Sequence, residues 1–261
     1  MVSKNEPRMP IALGLHGAAI YLFLYLPIVL LVFFSFNKNP SGTFPVTGLT
    51  LDWYRQLGDD YFMLTSFKTS LIVALTTVPI ATFAGTLCAF GLVRTEFRFK
   101  TLASSFVLMP MVVPEILLGA AILVVLRTVL GVPLSIWTTV MGHVVVTTPY
   151  AVLAVATRLY GYDRVLDSAA ADLGANPLRV FWHITLPLIT PGIIAAALIV
   201  FTISLDTFGV TFFTIGSGST LPMYIWAQVE MGIRPTVNAL GTLFIVGSIA
   251  ILLIAHLLLR K

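Results

Sequence analysis

Between Ser168 and Pro187 the chain reads SAAADLGANPLRVFWHITLP. This is a polar-rich interruption between two apolar runs, and its residues specify structure. Asp163, just upstream, can cap a helix that begins near Arg164. Along that helix Val165, Leu166, Ala169, Ala170 and Leu173 share one face. Gly174 follows the last apolar residue, where a left-handed C-cap is wanted. Asn176-Pro177 then supplies an N-cap followed by a proline at the first helical position. Val180, Phe181 and Ile184 give a second short helix an apolar stripe, and Pro187 marks entry into the next apolar run. The expectation over 163–187 is a helix, a tight turn and a second short helix. The alanines from Ala169 to Ala171 present a smooth surface that a partner can approach closely.

Outward from this stretch the chain is oily. Of its 261 residues 58% are hydrophobic and only 10% are charged, against about a quarter charged in an average soluble domain. The mean hydropathy of +0.98 agrees. Spanning a bilayer as a helix takes about 20 apolar residues. Six stretches qualify, at 11–36, 65–93, 102–126, 134–156, 188–208 and 237–259. They do not alternate as barrel strands do, and backbone groups in lipid must bond internally, so the expected class is an all-α membrane protein with six transmembrane helices. The run at 11–36 is too long for the apolar segment of a signal peptide and reads as a retained first span. The single cysteine, Cys88, excludes a disulfide within the chain.

Charge then orients the spans. With both termini inside, Lys4, Arg8, Arg94, Arg98, Lys100, Arg158, Arg164, Arg179, Arg260 and Lys261 fall inside, and Lys38, Arg55, Lys68, Arg127 and Arg234 outside. That is ten against five, which places the termini and the 163–187 loop in the cytoplasm. The net charge of +4 is thereby a topology signal and implies no nucleic-acid partner. Trp53, Tyr54, Tyr61 and Phe62 on one outer segment, and Tyr224 and Trp226 on another, suit interfacial helices with aromatics at headgroup depth. Ala81, Gly85 and Ala89 recur every four residues in the second span, a spacing that lets another helix come close.

The loop carries a resemblance. Ala169, Ala170, Gly174, Ile184, Leu186 and Pro187 match in register the EAA motif of ABC importer permeases, which reads E-A-A, three residues, G, nine residues, I-x-L-P. The stretches MPMVVPEILLG, FTISLDTFGVTFFTIG, PTVNALGT and LTLDWYRQL extend it over nearly the whole chain, and resemble the PotC-like branch, whose best-known members carry spermidine and putrescine. The resemblance implies a type I importer permease fold in a bacterial inner membrane, with 1–261 as one transmembrane permease domain. It implies that 163–187 is a coupling loop seated in a groove of a separate ATPase, with Asp167, Ser168, Ala169, Ala170, Asp172, Leu173, Gly174, Ala175, Asn176 and Pro177 at the contact. It also implies an ATP-binding subunit homodimer, a second homologous (PotB-like) permease and a periplasmic substrate-binding protein. ATP and Mg would be bound by the ATPase, and no cofactor by this chain. The family's glutamate is Ser168 here, with an acid one position earlier at Asp167, so docking is expected through shape and apolar contact.

Ionisable residues within spans are functional candidates by default. Glu115 follows Pro110 and Pro114, two prolines that break the helix ladder of the third span. It reads as a pathway carboxylate or as a helix-start carboxylate bonded to free N–H groups. Asp206 reads as a pathway carboxylate or as a cap at the end of the fifth span. Two carboxylates suit a cationic solute. Thr207 stands where the branch carries a second acid, which points to a smaller amine, an opine, an amino-acid derivative or an aminophosphonate beside the polyamines. Phe208, Phe212 and Phe213 add aromatic faces. His143 reads as a satisfied packing residue. A self-sufficient secondary transporter or channel is the alternative, but it has no use for an elaborate loop. An intramembrane enzyme lacks a convergent nucleophile, base or metal-ligand set. No G-x-x-x-x-G-K-[ST] stretch occurs, so the chain does not hydrolyse ATP by itself.

Overall fold

A computed structural model of the protein describes residues 11–232 and 234–259. Lys4, Arg8, Arg260 and Lys261, on which the orientation partly rests, lie outside them. The described residues are helical apart from loops and one isolated bridge, Asn37 to Leu49. The chain divides into two compact units, one running from Tyr61 to Trp226 and one combining residues up to Asp60 with Ala227–Ile254.

In the latter unit α1 (Ile11–Phe34) is apolar on all sides and exposes Tyr21, Leu22 and Phe23, the surface a bilayer or another apolar partner would cover. The connection to α2 (Asp52–Asp59) is organised by Asn37, which is fully buried. Its side chain donates to the Thr43 carbonyl (2.9 Å) and accepts from the Asn39 amide (3.1 Å). Trp53 donates its indole N–H to the Asn37 carbonyl (2.8 Å), and the Tyr54 hydroxyl pairs with Ser35 (2.7 Å). These two aromatics of the expected interfacial segment are therefore tied into the fold, whereas Tyr61 and Phe62 stay exposed.

The larger unit starts with α3 (Tyr61–Arg94), which begins a turn before the expected second span. The third span differs from a single rod. α4 (Lys100–Leu108) tightens into a 3₁₀ turn at Met109–Met111, and α5 (Glu115–Val124) restarts after Pro114 and ends in a π-helical stretch, Val125–Val129. The two halves bend by 104°. Pro114 donates no hydrogen bond and pushes Val113 out of the helical region, so the ladder ends there. α6 (Ile136–Tyr160) covers the fourth span, with Ser135 and Thr138 forming a capping box at its start.

The 163–187 loop holds α7 (Val165–Asp172) and α8 (Pro177–Val180). The expected short second helix does not stop before the fifth span. α8 passes through a π-helical stretch, Phe181–Thr185, straight into α9 (Leu186–Asp206). Pro187 cannot donate to the His183 carbonyl four residues back, and a wider turn absorbs the missing bond. α10 (Gly209–Thr214) follows a break, then come α11 (Leu221–Glu230) and α12 (Pro235–Leu259), which contains the whole of the expected sixth stretch. Among the described residues, four helices are long and apolar enough to span a membrane, and the bent pair makes a fifth candidate.

α3, α6 and α9 pack on one another around Ala81, Ala89, Ala151, Val155, Ile189 and Val200. Gly85 permits a close crossing of α3 and α6, where an added Cβ would lie 2.5 Å from the Ala151 Cβ. The small-residue stripe of α3 thus serves packing within the chain.

Candidate functional site

The loop expected to couple to the ATPase is shaped by local rules. The Asp163 carboxylate accepts from the Val165 amide (2.9 Å) and starts α7. Gly174 takes φ +85°, with its amide on the Ala171 carbonyl (2.9 Å) and the Ala175 amide on the Ala170 carbonyl (3.0 Å). This is a Schellman C-cap. Asn176 accepts from the Arg179 amide (2.8 Å) and starts α8 at Pro177. Ser168, Ala169, Asp172, Leu173, Gly174, Asn176 and Pro177 are exposed, and Leu173 is 90% exposed, an apolar side chain held out at the tip of a capped helix. Ala170 and Ala175 are half-buried beneath them.

Asp167 turns the other way. It accepts from the Arg94 Nη1 at the end of α3 (2.5 Å), from the Tyr162 hydroxyl and from Thr185 (3.3 Å) in the π-helical stretch. The Arg94 guanidinium also lies over the Tyr162 ring, 4.4 Å from its centre, and Arg164 bonds the Val93 carbonyl (3.1 Å). Partial burial pushes the Asp167 carboxyl up, but the Tyr162 hydroxyl, the Arg94 guanidinium and Thr185 outweigh it and hold it below its ordinary value. The acid that sits one place before the motif position is thus consumed inside the chain, where it fastens α7 to α3 and to the start of α9. Beside it a cavity of about 390 Å³ is lined by Phe90, Arg94, Asp167, Val180, Phe181 and Thr185. Sequence reading missed Arg94, Tyr162 and Thr185. Arg94 carried only a topology signal, and nothing local pairs it with a residue 73 positions on.

Of the four expected pathway residues, Asp206, Thr207 and Phe208 lie at the break between α9 and α10, and Glu115 reaches Gly209 just after it. Asp206 ends α9 and is exposed, while Thr207 is buried and leaves the helical conformation (ψ 113°). Glu115, the first residue of α5, accepts from the Gly209 amide (3.2 Å), the first N–H of α10. Gly209 permits this approach, since a Cβ there would lie 2.8 Å from the Glu115 Cβ. Glu115 therefore serves a helix N-terminus, but of α10 and not of its own helix. Phe208 packs with Phe212 and Trp226 at ring separations of 5.7 and 5.4 Å. A small cavity of about 190 Å³ lies among Ile116, Phe208, Gly209, Phe212, Phe213 and Trp226. Trp226 had been read only as an interfacial anchor. Carboxylates beside open aromatic faces can bind an alkylammonium group.

The family described as "Binding-protein-dependent transport system inner membrane component" matches residues 78–261. The spermidine/putrescine transport system permease protein PotC of Haemophilus influenzae is 35% identical over 243 residues, 93% of this chain and 94% of that protein. The putrescine transport system permease protein PotI of Escherichia coli K12 is 38% identical over 241 residues, 88% of this chain and 84% of that protein. Among solved structures, a bacterial ABC transporter that imports the acidic polysaccharide alginate superposes with a TM-score of 0.74 at 15% identity, over 96% of this chain and 94% of that one. The MetNI methionine ABC transporter does so at 0.61 and 17%, over 81% of this chain and 98% of that one. The fold is that of these ABC transporter membrane subunits, and the chain belongs to the family of binding-protein-dependent transport system inner membrane components.

Proposed function

We propose that this protein is the permease subunit of an ATP-driven importer in a bacterial inner membrane, forming half of the pathway for a small amine. The observation that carries the reading is the capped, exposed α7–Gly174–α8 loop, rooted by Asp167 to α3 and α9. The names of the relatives at 35–38% identity support a polyamine-like solute. The chain crosses the membrane six times with both termini in the cytoplasm, the bent α4–α5 pair counting as one span and α12 as the last. Its coupling contact is made by Ser168, Ala169, Ala170, Asp172, Leu173, Gly174, Ala175, Asn176 and Pro177. The partners are an ATP-binding homodimer, which holds ATP and Mg, a second homologous permease and a periplasmic binding protein. This chain itself binds no cofactor.

In operation, closure of the ATPase pair on ATP draws the two coupling loops together. The strain passes through Asp167 into α3 and through the unbroken α8–α9 helix toward the α9–α10 break. The pathway turns outward, takes an amine from the binding protein between Asp206, Glu115 and the Phe208 ring, and returns on hydrolysis. Ligand affinity resides mainly in the binding protein. Purification from native membranes in mild detergent tests the assembly. A P-loop ATPase and a second permease are expected to accompany the chain, and its isolation alone with solute movement that needs no ATP would favour a secondary transporter.

A further inference from the structure

The α9–α10 break carries the proposed pathway residues, yet the chain itself makes it weak. Thr207 is extended and α10 is a single short helix of six residues. What holds the two sides at a fixed angle comes from α6. His143 is 1% exposed, and its ring reaches both sides of the break. Nδ1 lies 2.7 Å from the Ser204 hydroxyl on α9, and Nε2 lies 2.7 Å from the Thr211 hydroxyl on α10.

The roles of the two nitrogens follow from the hydroxyls. Thr211 donates its proton to the Thr207 carbonyl (2.8 Å), so it can only accept from the ring. Nε2 is therefore the N–H donor. Nδ1 is left as the acceptor, and Ser204 donates to it. The neutral imidazole thus reads one hydroxyl as donor and the other as acceptor across a fixed distance. Through Thr211 the contact continues to the backbone of Thr207 itself.

The rest of α10 is seated so that this contact sets its near end. Gly142, next to His143, admits α10 closely, because a Cβ there would lie 2.5 Å from Val210 Cγ1. At the far end Thr138 donates to the Thr214 carbonyl (2.7 Å). Glu115 holds the first amide of α10. His143 bonds to both α9 and α10.

We propose that His143 is a positioning residue for transport. It pins the elbow between α9 and α10 and thereby aims Asp206 and Phe208 at the solute. This rests on the reading of those residues as the pathway. A plain packing role would stabilise the bundle without altering how the solute is handled.

The test uses the full complex in proteoliposomes, with ATP-driven uptake of labelled putrescine and spermidine. Ser204→Ala and Thr211→Val each remove one arm and leave the ring in place. Each is expected to lower the maximal uptake rate per assembled complex about three- to ten-fold, the scale of one interhelical hydrogen bond, and to change the putrescine-to-spermidine ratio. His143→Gln, which keeps a donor and an acceptor, should retain more of the wild-type selectivity than His143→Ala. Uptake that falls only in proportion to the amount of assembled complex, with an unchanged rate per complex and unchanged selectivity, would overturn the proposal. Asp206→Asn runs in parallel. If it alters amine handling and the Ser204 and Thr211 variants do not, the pathway stands and the positioning role falls. If the wild-type complex moves neither amine, both fall.

Discussion

Asp167 shows how a single position alters what a motif means. A carboxylate one residue later would point with Ser168 to the exposed face of α7. At 167 it meets Arg94, Tyr162 and Thr185. Both partners of the ion pair are largely shielded, with side-chain exposures of 19% for Arg94 and 25% for Asp167. Asp167→Asn removes the charge and leaves the guanidinium partly buried without its counterion, at a cost of about 1–3 kcal/mol. The expected outcome is faster backbone hydrogen exchange over α7 and α8, with exchange in the α3–α6–α9 core unchanged. Acid should act in the same way. The folded-state carboxyl is held below its ordinary value of 3.8, so the unfolded chain takes up the proton first. The stabilisation is complete above that value and is lost as the pH falls through the depressed one. Loop protection that stays constant from pH 6 to pH 3 would contradict this.

At the scale of elements, the turn at Gly174 and the crossing at Gly85 make separate demands. Gly174 needs a positive φ and donates an amide bond, and Gly174→Pro denies both. The spans should insert and the complex assemble, while amine-stimulated ATP hydrolysis and uptake are lost together. Normal uptake by this variant would remove the loop from coupling. Gly85→Leu drives a side chain into Ala151. Overpacking of this kind costs about 1–3 kcal/mol, so the thermal midpoint of the detergent-solubilised protein should fall, and an unchanged midpoint would contradict the packing. These elements also show what a sequence makes legible. The caps at Asp163, Gly174 and Asn176 were readable because each depends on residues within a few positions. So were the apolar runs, with ends that moved by a turn. The uninterrupted passage from α8 into α9 was not, because a proline at 187 signals a boundary in general and only the surrounding packing lets a π-helical turn carry the helix past it. Pro110 and Pro114 announced a kink, but not its 104° angle or the packing of α5 on α10. The meeting of Glu115 with Gly209, 94 positions away, has no local signature.

For the whole molecule, a capped loop at one end and a carboxylate–aromatic break along α9–α10 are joined by one helical path. The stretch from Pro177 to Asp206 runs 30 residues from the turn after Gly174 to the break. That continuity lets a movement imposed at the loop reach the proposed solute site without a flexible joint between. The most direct measurement is uptake of labelled putrescine and spermidine into proteoliposomes that hold this chain, its second permease and the ATPase, with the binding protein supplied on the outer side. Accumulation that requires ATP and the binding protein, and that disappears with Gly174→Pro, is the expected result. Amine movement that proceeds without ATP, or that survives Gly174→Pro unchanged, would contradict the proposed coupling of this loop to the pathway.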